Sequence, residues 1–329
     1  MRAIQVFAYG DYDQLQLVDL PQPRPVEGHI LVKMTAAAIN PLDNLIRLGR
    51  VTIGKSKLPL ILGNEGTGLV ASEGSDLPLG TRVMFREAYH LPCGGTWQEF
   101  VLTPRDLVVP LPDGSSDLEA AALRTAYVTA YMALLHRGQF QPGQVIFAPA
   151  VGSSVGNAVI QLGHTLGAER VISTAGSSAK AQRARELGYK DVIDLTQESA
   201  RDGIARITGG TGVDVIVDGL GGDITIQGLA SLKRGGTLVL VGDSASPELH
   251  LHIVRDLLAN AVRLVGHRNA LAPQGMADEA FSACFALWVQ GRIKPIVART
   301  FPMEQACEAQ RFQVEGRPFG KVLLTFATR

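Results

Sequence analysis

From Val145 to Thr174 the apolar positions change period twice. Val145–Phe147 is a continuous apolar run, the pattern of a strand buried on both faces. Small residues fill Ala148 to Ser154. Val155, Ala158, Val159, Leu162 and Leu166 then recur at helical spacing, one stripe of an amphipathic helix that Gly167 stops. Arg170–Thr174 is strand again. The same alternation continues with strands expected at Asp191–Ile193, Val213–Asp218, Thr237–Gly242 and Val262–Gly266, and with helices at Ala179–Leu187 and Ser199–Ile207. Six strands alternating with helices predict a parallel, doubly wound α/β sheet, the dinucleotide-binding count.

The flanks have another texture. Before residue 120 the chain shows short apolar or alternating runs: Arg2–Phe7, Leu15–Asp19, His29–Ala37, Gly68–Ser72, Arg82–Phe85 and Phe100–Leu102. Prolines and glycines punctuate them, which suggests an irregular antiparallel barrel. A helix is expected after Asn40-Pro41, and a helical tract over Leu118–Arg137. A further helix is expected over Gly275–Gln290, and a last strand over Lys321–Phe326. A lone terminal strand cannot stand by itself, so it is expected to return to the first domain. The expected domains are 1–120 with 268–329, and 121–267.

Composition narrows the classes. Hydrophobic residues make up 46% and charged residues 19%, an ordinary globular balance. Thirty-one basic and 31 acidic residues cancel, which gives no pull toward nucleic acid or an anionic membrane. No apolar run approaches the roughly 18 residues that would span a bilayer. Cys93, Cys284 and Cys307 are an odd, scattered set that fits a reducing compartment. A cytoplasmic protein is expected.

The candidate cofactor site lies at the carboxyl ends of the parallel strands. The turn before the first helix, with Ala150, Gly152, Ser153, Ser154, Val155 and Gly156, presents unpaired N–H groups suited to a pyrophosphate. Of the usual G-x-G-x-x-G fingerprint, only Gly156 is in place. Gly219, Gly242, Ser244 and Gly266 follow successive strands and allow close approach of backbone to ligand. An NAD-preferring site carries Asp or Glu about 20 residues past the glycines. Here the tract Ser173–Lys180 has no acid but offers Thr174, Ser177 and Lys180, so a 2′-phosphate is favoured and NADPH is the expected cofactor.

The order of parts resembles the medium-chain dehydrogenase/reductase superfamily. The resemblance rests on Ala38-Ile39-Asn40-Pro41-Leu42-Asp43, Gly63-Asn64-Glu65-Gly66-Thr67-Gly68, Gly94 to Val101, Thr129-Ala130-Tyr131, Gly209 to Val215 and Gly320-Lys321-Val322. More narrowly, the chain is similar to the zinc-independent quinone oxidoreductases (zeta-crystallin-like), with the enoyl thioester reductases as near relatives. The resemblance implies a GroES-like barrel with an inserted Rossmann domain, and puts Asn40, Asn64 and Thr129 near the nicotinamide. It aligns Ala150, Ser153 and Gly156 with an A-x-x-G-x-x-G variant, so Ser153 replaces the middle glycine. The Ser153 hydroxyl then either contacts the pyrophosphate or pushes the cofactor outward. In the zinc-dependent branch a Cys stands where this chain has Asn40 and a His where it has Asn64. Carboxamides are poor zinc ligands, and His90 with Cys93 lacks a third partner, so no metal is expected.

The resemblance implies hydride transfer to quinones or other α,β-unsaturated carbonyl acceptors. Enoyl thioester reduction is the alternative, with Arg47, Arg50, Lys55 and Lys57 as a patch for carrier or coenzyme A phosphates. Near Val51 such reductases often carry a tyrosine proton donor, which is absent here; Tyr89 and Tyr127 are the candidate replacements. A nucleotide-binding protein with little turnover is the third reading. A homodimer is expected from the resemblance alone.

Overall fold

The computed structural model describes residues 1–51, 58–73, 75–86 and 94–327. The chain divides into two compact units, Met1–Thr125 with Pro295–Arg329, and Ala126–Lys294. The expected boundaries at 120 and 268 therefore move. Helix Gln274–Val289 belongs to the second unit because it packs on the helical segment ending at Arg137. Its inner face buries Ala280, Phe281, Cys284 and Trp288.

The first unit is the GroES-like β-barrel. One long strand, His29–Ile39, organises it, pairing antiparallel with Phe100–Pro104, Gly66–Val70 and Lys321–Thr325 along successive parts of its length. Its burial on both faces explains the dense run of small and branched residues. Leu323 sits opposite Ala38, so the terminal strand does return to the first unit. Gly66 and Gly68 are needed where strands touch: a Cβ would lie 2.6 Å from Ala36 O or 2.4 Å from Lys33 O. Around this sheet Ile30, Val32, Phe85, Trp97, Phe301 and Leu324 form the core.

The second unit is a six-stranded parallel sheet of Val145–Ala148, Arg170–Ala175, Val192–Asp194, Val213–Asp218, Leu232–Leu240 and Arg263–Gly266. Numbered in chain order, the strands lie 3-2-1-4-5-6 across the sheet. That is the doubly wound Rossmann order, whose direction reverses between Val145–Ala148 and Val213–Asp218 and so opens a crevice at their carboxyl ends. Phe147, Ile172, Ile193, Ile216 and Leu238 fill the core. The expected tract Leu118–Arg137 is not one helix. It breaks into Asp117–Ala121, Arg124–Tyr131 and a π-helical segment, Met132–Arg137.

Candidate active site

The turn after Val145–Ala148 folds back on the second strand. Ala150 takes a left-handed conformation, φ 62°, and its N–H donates to Thr174 Oγ1 at 3.0 Å. Val151 N–H donates to the Thr174 carbonyl at 2.8 Å. Ser153 then caps the helix Ser154–Thr165, its Oγ accepting the Gly156 N–H at 3.0 Å. Gly156 has no room for a side chain, since a Cβ would lie 2.5 Å from Ala150 O. Ser154 and Val155 are half-buried at the helix start, and their N–H groups are not consumed by the cap. A helix N-terminus of this kind suits a pyrophosphate, so the cradle fits a dinucleotide.

The remaining expected cofactor residues divide by what they already bind. Thr174 is buried and its hydroxyl accepts the Ala150 N–H, so its acceptor role is structural. Ser177 caps Ser178–Glu186, accepting the Lys180 N–H at 3.4 Å. Lys180 is half-buried one turn in, and Arg183 pairs with Glu186. Asp194, ending the neighbouring strand, is held by Thr196. Ser244 bends back, its hydroxyl donating to the Gly219 carbonyl at 2.8 Å. Gly242 abuts that same carbonyl, where a Cβ would lie at 3.2 Å. Gly152 is buried in the turn, whereas Gly266 is open, with no neighbour within 4 Å of where a Cβ would stand.

Thr129 lies half-buried on Arg124–Tyr131 within the second unit. Asn269 Nδ2 donates to its hydroxyl oxygen at 2.8 Å, and Asn269 Oδ1 meets His267 Nε2 at 2.8 Å. His267 is buried, and that burial lowers its pKa, with Asn269 opposing. The resemblance implies that the Gly266–Arg268 segment, which holds His267, lines the crevice, but Asn269 lies one residue beyond it and no motif marks its contacts with His267 and Thr129.

Asn40 and Asn64 meet in the first unit. Asn40 precedes Pro41–Arg47, and its N–H donates to Asp43 Oδ2 at 2.7 Å. Asp43 Oδ1 also accepts the Gly63 N–H at 3.1 Å, which ties the two motifs together. Gly63, at φ 95°, leaves room for Trp97: a Cβ there would lie 2.4 Å from both Thr96 Oγ1 and Trp97 Cδ1. With both backbones fixed, Asn40 Nδ2 donates to Asn64 Oδ1 at 2.7 Å and Glu65 Oε1 at 2.9 Å. Lys321, arriving on the terminal strand, places Nζ 2.7 Å from Glu65 Oε1 and 2.5 Å from Asn40 Oδ1. Burial would push the Glu65 carboxyl up, but Lys321, the Thr125 N–H and the Asn40 amide hold it below its ordinary value. Glu65 and Lys321 stand within the family motifs, and the sequence does not mark them as a pair. A lone lysine opening an apolar strand is the signal it offers.

Other expected residues fall elsewhere. Arg47 is buried beneath Tyr12, with Nε donating to Gln310 Oε1 at 2.6 Å. It cannot contribute to an exposed phosphate patch, because its guanidinium is committed to the core. Tyr127 is buried on its helix. Tyr89, His90, Cys93, Lys55 and Lys57 lie outside the described residues. Among the described residues, no group of three or more His, Cys, Asp or Glu side chains gathers as a metal site, and no helix is long and apolar enough to cross a membrane.

A GroES-like barrel and a Rossmann sheet with a pyrophosphate cradle define the two-part frame of a nicotinamide-dependent oxidoreductase. Residues 26–113 match the alcohol dehydrogenase GroES-like domain family, and residues 154–281 the zinc-binding dehydrogenase family. The synaptic vesicle membrane protein VAT-1 homolog of Homo sapiens is 30% identical, over 98% of this chain and 86% of that protein. Quinone oxidoreductase of Mus musculus is 29% identical, over 98% and 97%. Among solved structures, an NAD-dependent alcohol dehydrogenase superposes with TM-score 0.89 at 29% identity, covering 99% of this chain and 100% of that one. A mycobacterial protein complexed with NADPH gives 0.86 at 27% identity, covering 99% and 100%. The chain belongs to the medium-chain dehydrogenase/reductase superfamily of NAD(P)H-dependent oxidoreductases, in its quinone oxidoreductase-like branch.

Proposed function

We propose that the protein is an NADPH-dependent reductase of quinones and other α,β-unsaturated carbonyls that works without a metal. The observation that carries this reading is the Asn40–Asn64 pair. At the two positions that hold zinc ligands in the zinc-dependent branch, this chain has carboxamides that bond each other at 2.7 Å. Neutral amides serve a carbonyl oxygen far better than a zinc ion. When bound, NADPH supplies the hydride. Ser154 and Val155 hold the pyrophosphate by their N–H groups, and Gly156 lets the helix approach. Lys180 attracts the 2′-phosphate, in a tract with no carboxylate to repel it. A quinone acceptor takes its proton from water, so Val51 in place of a tyrosine is no obstacle. The buried Arg47 weakens the enoyl thioester alternative. We place the protein in the cytoplasm and propose that it pairs with a second copy of itself.

Cofactor oxidation, followed by absorbance with NADPH and NADH across 1,4-quinones, enones and crotonyl thioesters, tests the reading. NADPH is the better donor, quinones and enones are reduced, and Lys180→Asp moves preference toward NADH. Tight NADPH binding with no oxidation by any acceptor would replace this reading with a nucleotide-binding role. Unchanged cofactor preference in Lys180→Asp would remove Lys180 from the site.

A further inference from the structure

We propose that the amide N–H of Asn64 receives the carbonyl oxygen of the acceptor, and that Lys321, acting through Asn40, is the positioning residue that orients and polarises it. The inference rests on the reductase reading above and names the groups that stabilise its charged product.

The hydrogen bonds of the buried cluster leave one side-chain amide nitrogen, Asn64 Nδ2, without a partner among the described residues. Lys321 Nζ lies 2.5 Å from Asn40 Oδ1, so the Asn40 oxygen must face the ammonium. A flipped Asn40 would set its own NH₂ against Nζ and its oxygen against the Glu65 carboxylate. Held this way, Asn40 Nδ2 faces Asn64 Oδ1 and Glu65 Oε1, which accept its two protons. Asn64 is therefore fixed in turn. Its oxygen is taken, and its Nδ2 is buried with no hydrogen-bond partner among the described residues. Glu65 Oε2 is occupied by the Thr125 N–H at 2.7 Å, so that oxygen does not draw the Asn64 amide back. Native interiors leave few buried donors unpaired, and each calls for a reason.

The order of charges strengthens this donor. The ammonium withdraws density from the Asn40 carbonyl, which makes the Asn40 N–H a better donor to Asn64. Asn64 is polarised in the same sense, and its free N–H gains by it. Lys321 and Glu65 cancel in net charge, so the effect travels along the bonded chain.

A reduced nicotinamide cofactor supplies a hydride, which bonds to the quinone or to the β-carbon of the enone. The carbonyl π pair moves onto oxygen, and the resulting anion takes one proton from water. A fixed N–H facing that oxygen helps most after charge has developed there. An amide keeps its proton, so the group stabilises the oxyanion and leaves protonation to solvent.

The test reads polarisation without turnover. 4-(Dimethylamino)cinnamaldehyde, whose absorption moves to the red when its carbonyl is polarised, is titrated into protein saturated with NADP⁺. The native protein shifts the band to the red, and Asn64→Ala abolishes the shift while stranding no charge. Lys321→Met combined with Glu65→Gln removes both charges together and reduces the shift, and Lys321→Arg restores most of it. With NADPH and 1,4-naphthoquinone, Asn64→Ala lowers kcat about a hundredfold, with a much smaller change in KM. An Asn64→Ala protein that keeps the native shift, or stays within about threefold of native kcat, overturns the proposal. A native protein that reduces no quinone or enone instead overturns the reductase reading, and the band shift still decides the role of Asn64.

Discussion

Asp43 shows how the buried cluster responds to pH. Its carboxyl accepts two backbone N–H groups, yet burial outweighs them and pushes it up to about 7 from 3.8. Between those values the folded chain holds a proton that the unfolded chain has released. Stability therefore falls as pH rises through that window and levels off above it. Glu65 runs the other way, since Lys321 holds its carboxyl down. Its contribution is present above the ordinary carboxylate range and lost as pH falls through the depressed value. Only Asp43 is removed by Asp43→Asn, so the stability gap between native and variant should narrow from about pH 5 to about pH 8. Denaturant titrations across that range measure it. A constant gap would mean that Asp43 stays ionised throughout, and the two N–H groups would then outweigh burial.

At the scale of elements, the cofactor turn and its helix act as one device. Ser153 was expected either to touch the pyrophosphate or to push the cofactor outward. It caps the helix, and its hydroxyl proton stays available to an outside acceptor. Ser153→Gly exchanges that hydroxyl donor for the freed Gly156 N–H, so NADPH affinity should change by less than about threefold. Ser153→Ala loses the cap and should cost roughly 1 kcal/mol in denaturant titration, against a few tenths for glycine. A large affinity gain in Ser153→Gly would restore the outward-push reading. The parallel strands were legible because runs such as Val145–Ala148 are apolar on both faces. Val297–Pro302 was missed because its mostly exposed positions show no alternation, and Gly222–Leu229 because it opens on glycines read as a strand end. Asn40, Asn64 and Thr129 were legible as residue types in motifs. Their partners were not, since Lys321 meets Asn40 across 281 residues of sequence, a distance that no periodicity spans.

For the whole molecule, the parallel sheet leaves one edge strand with a feature that sequence period did not reveal. Arg263–Gly266 pairs with Leu232–Leu240 on one side and, among the described residues, with no strand on the other. Leu264 on that strand is 40% exposed, and Ile253, Val254, Leu258 and Leu271 are also exposed in the second unit. Folded chains usually blunt an open edge with charge, proline or a bulge. Here Arg263 is the one charged residue on the strand, and it is turned to Gln139. A second copy related by a twofold axis would extend the sheet edge to edge and cover the same apolar side chains on both copies. Light scattering during gel filtration should therefore give twice the chain mass at micromolar concentration. Leu264→Lys places a charge in the centre of that contact and should shift the protein toward the monomer, with its melting curve measured separately to show that it is folded. A native monomer would remove the proposed pairing. A Leu264→Lys dimer as tight as the native one would move the interface away from this edge, because an unpaired lysine at its centre could not be buried without loss.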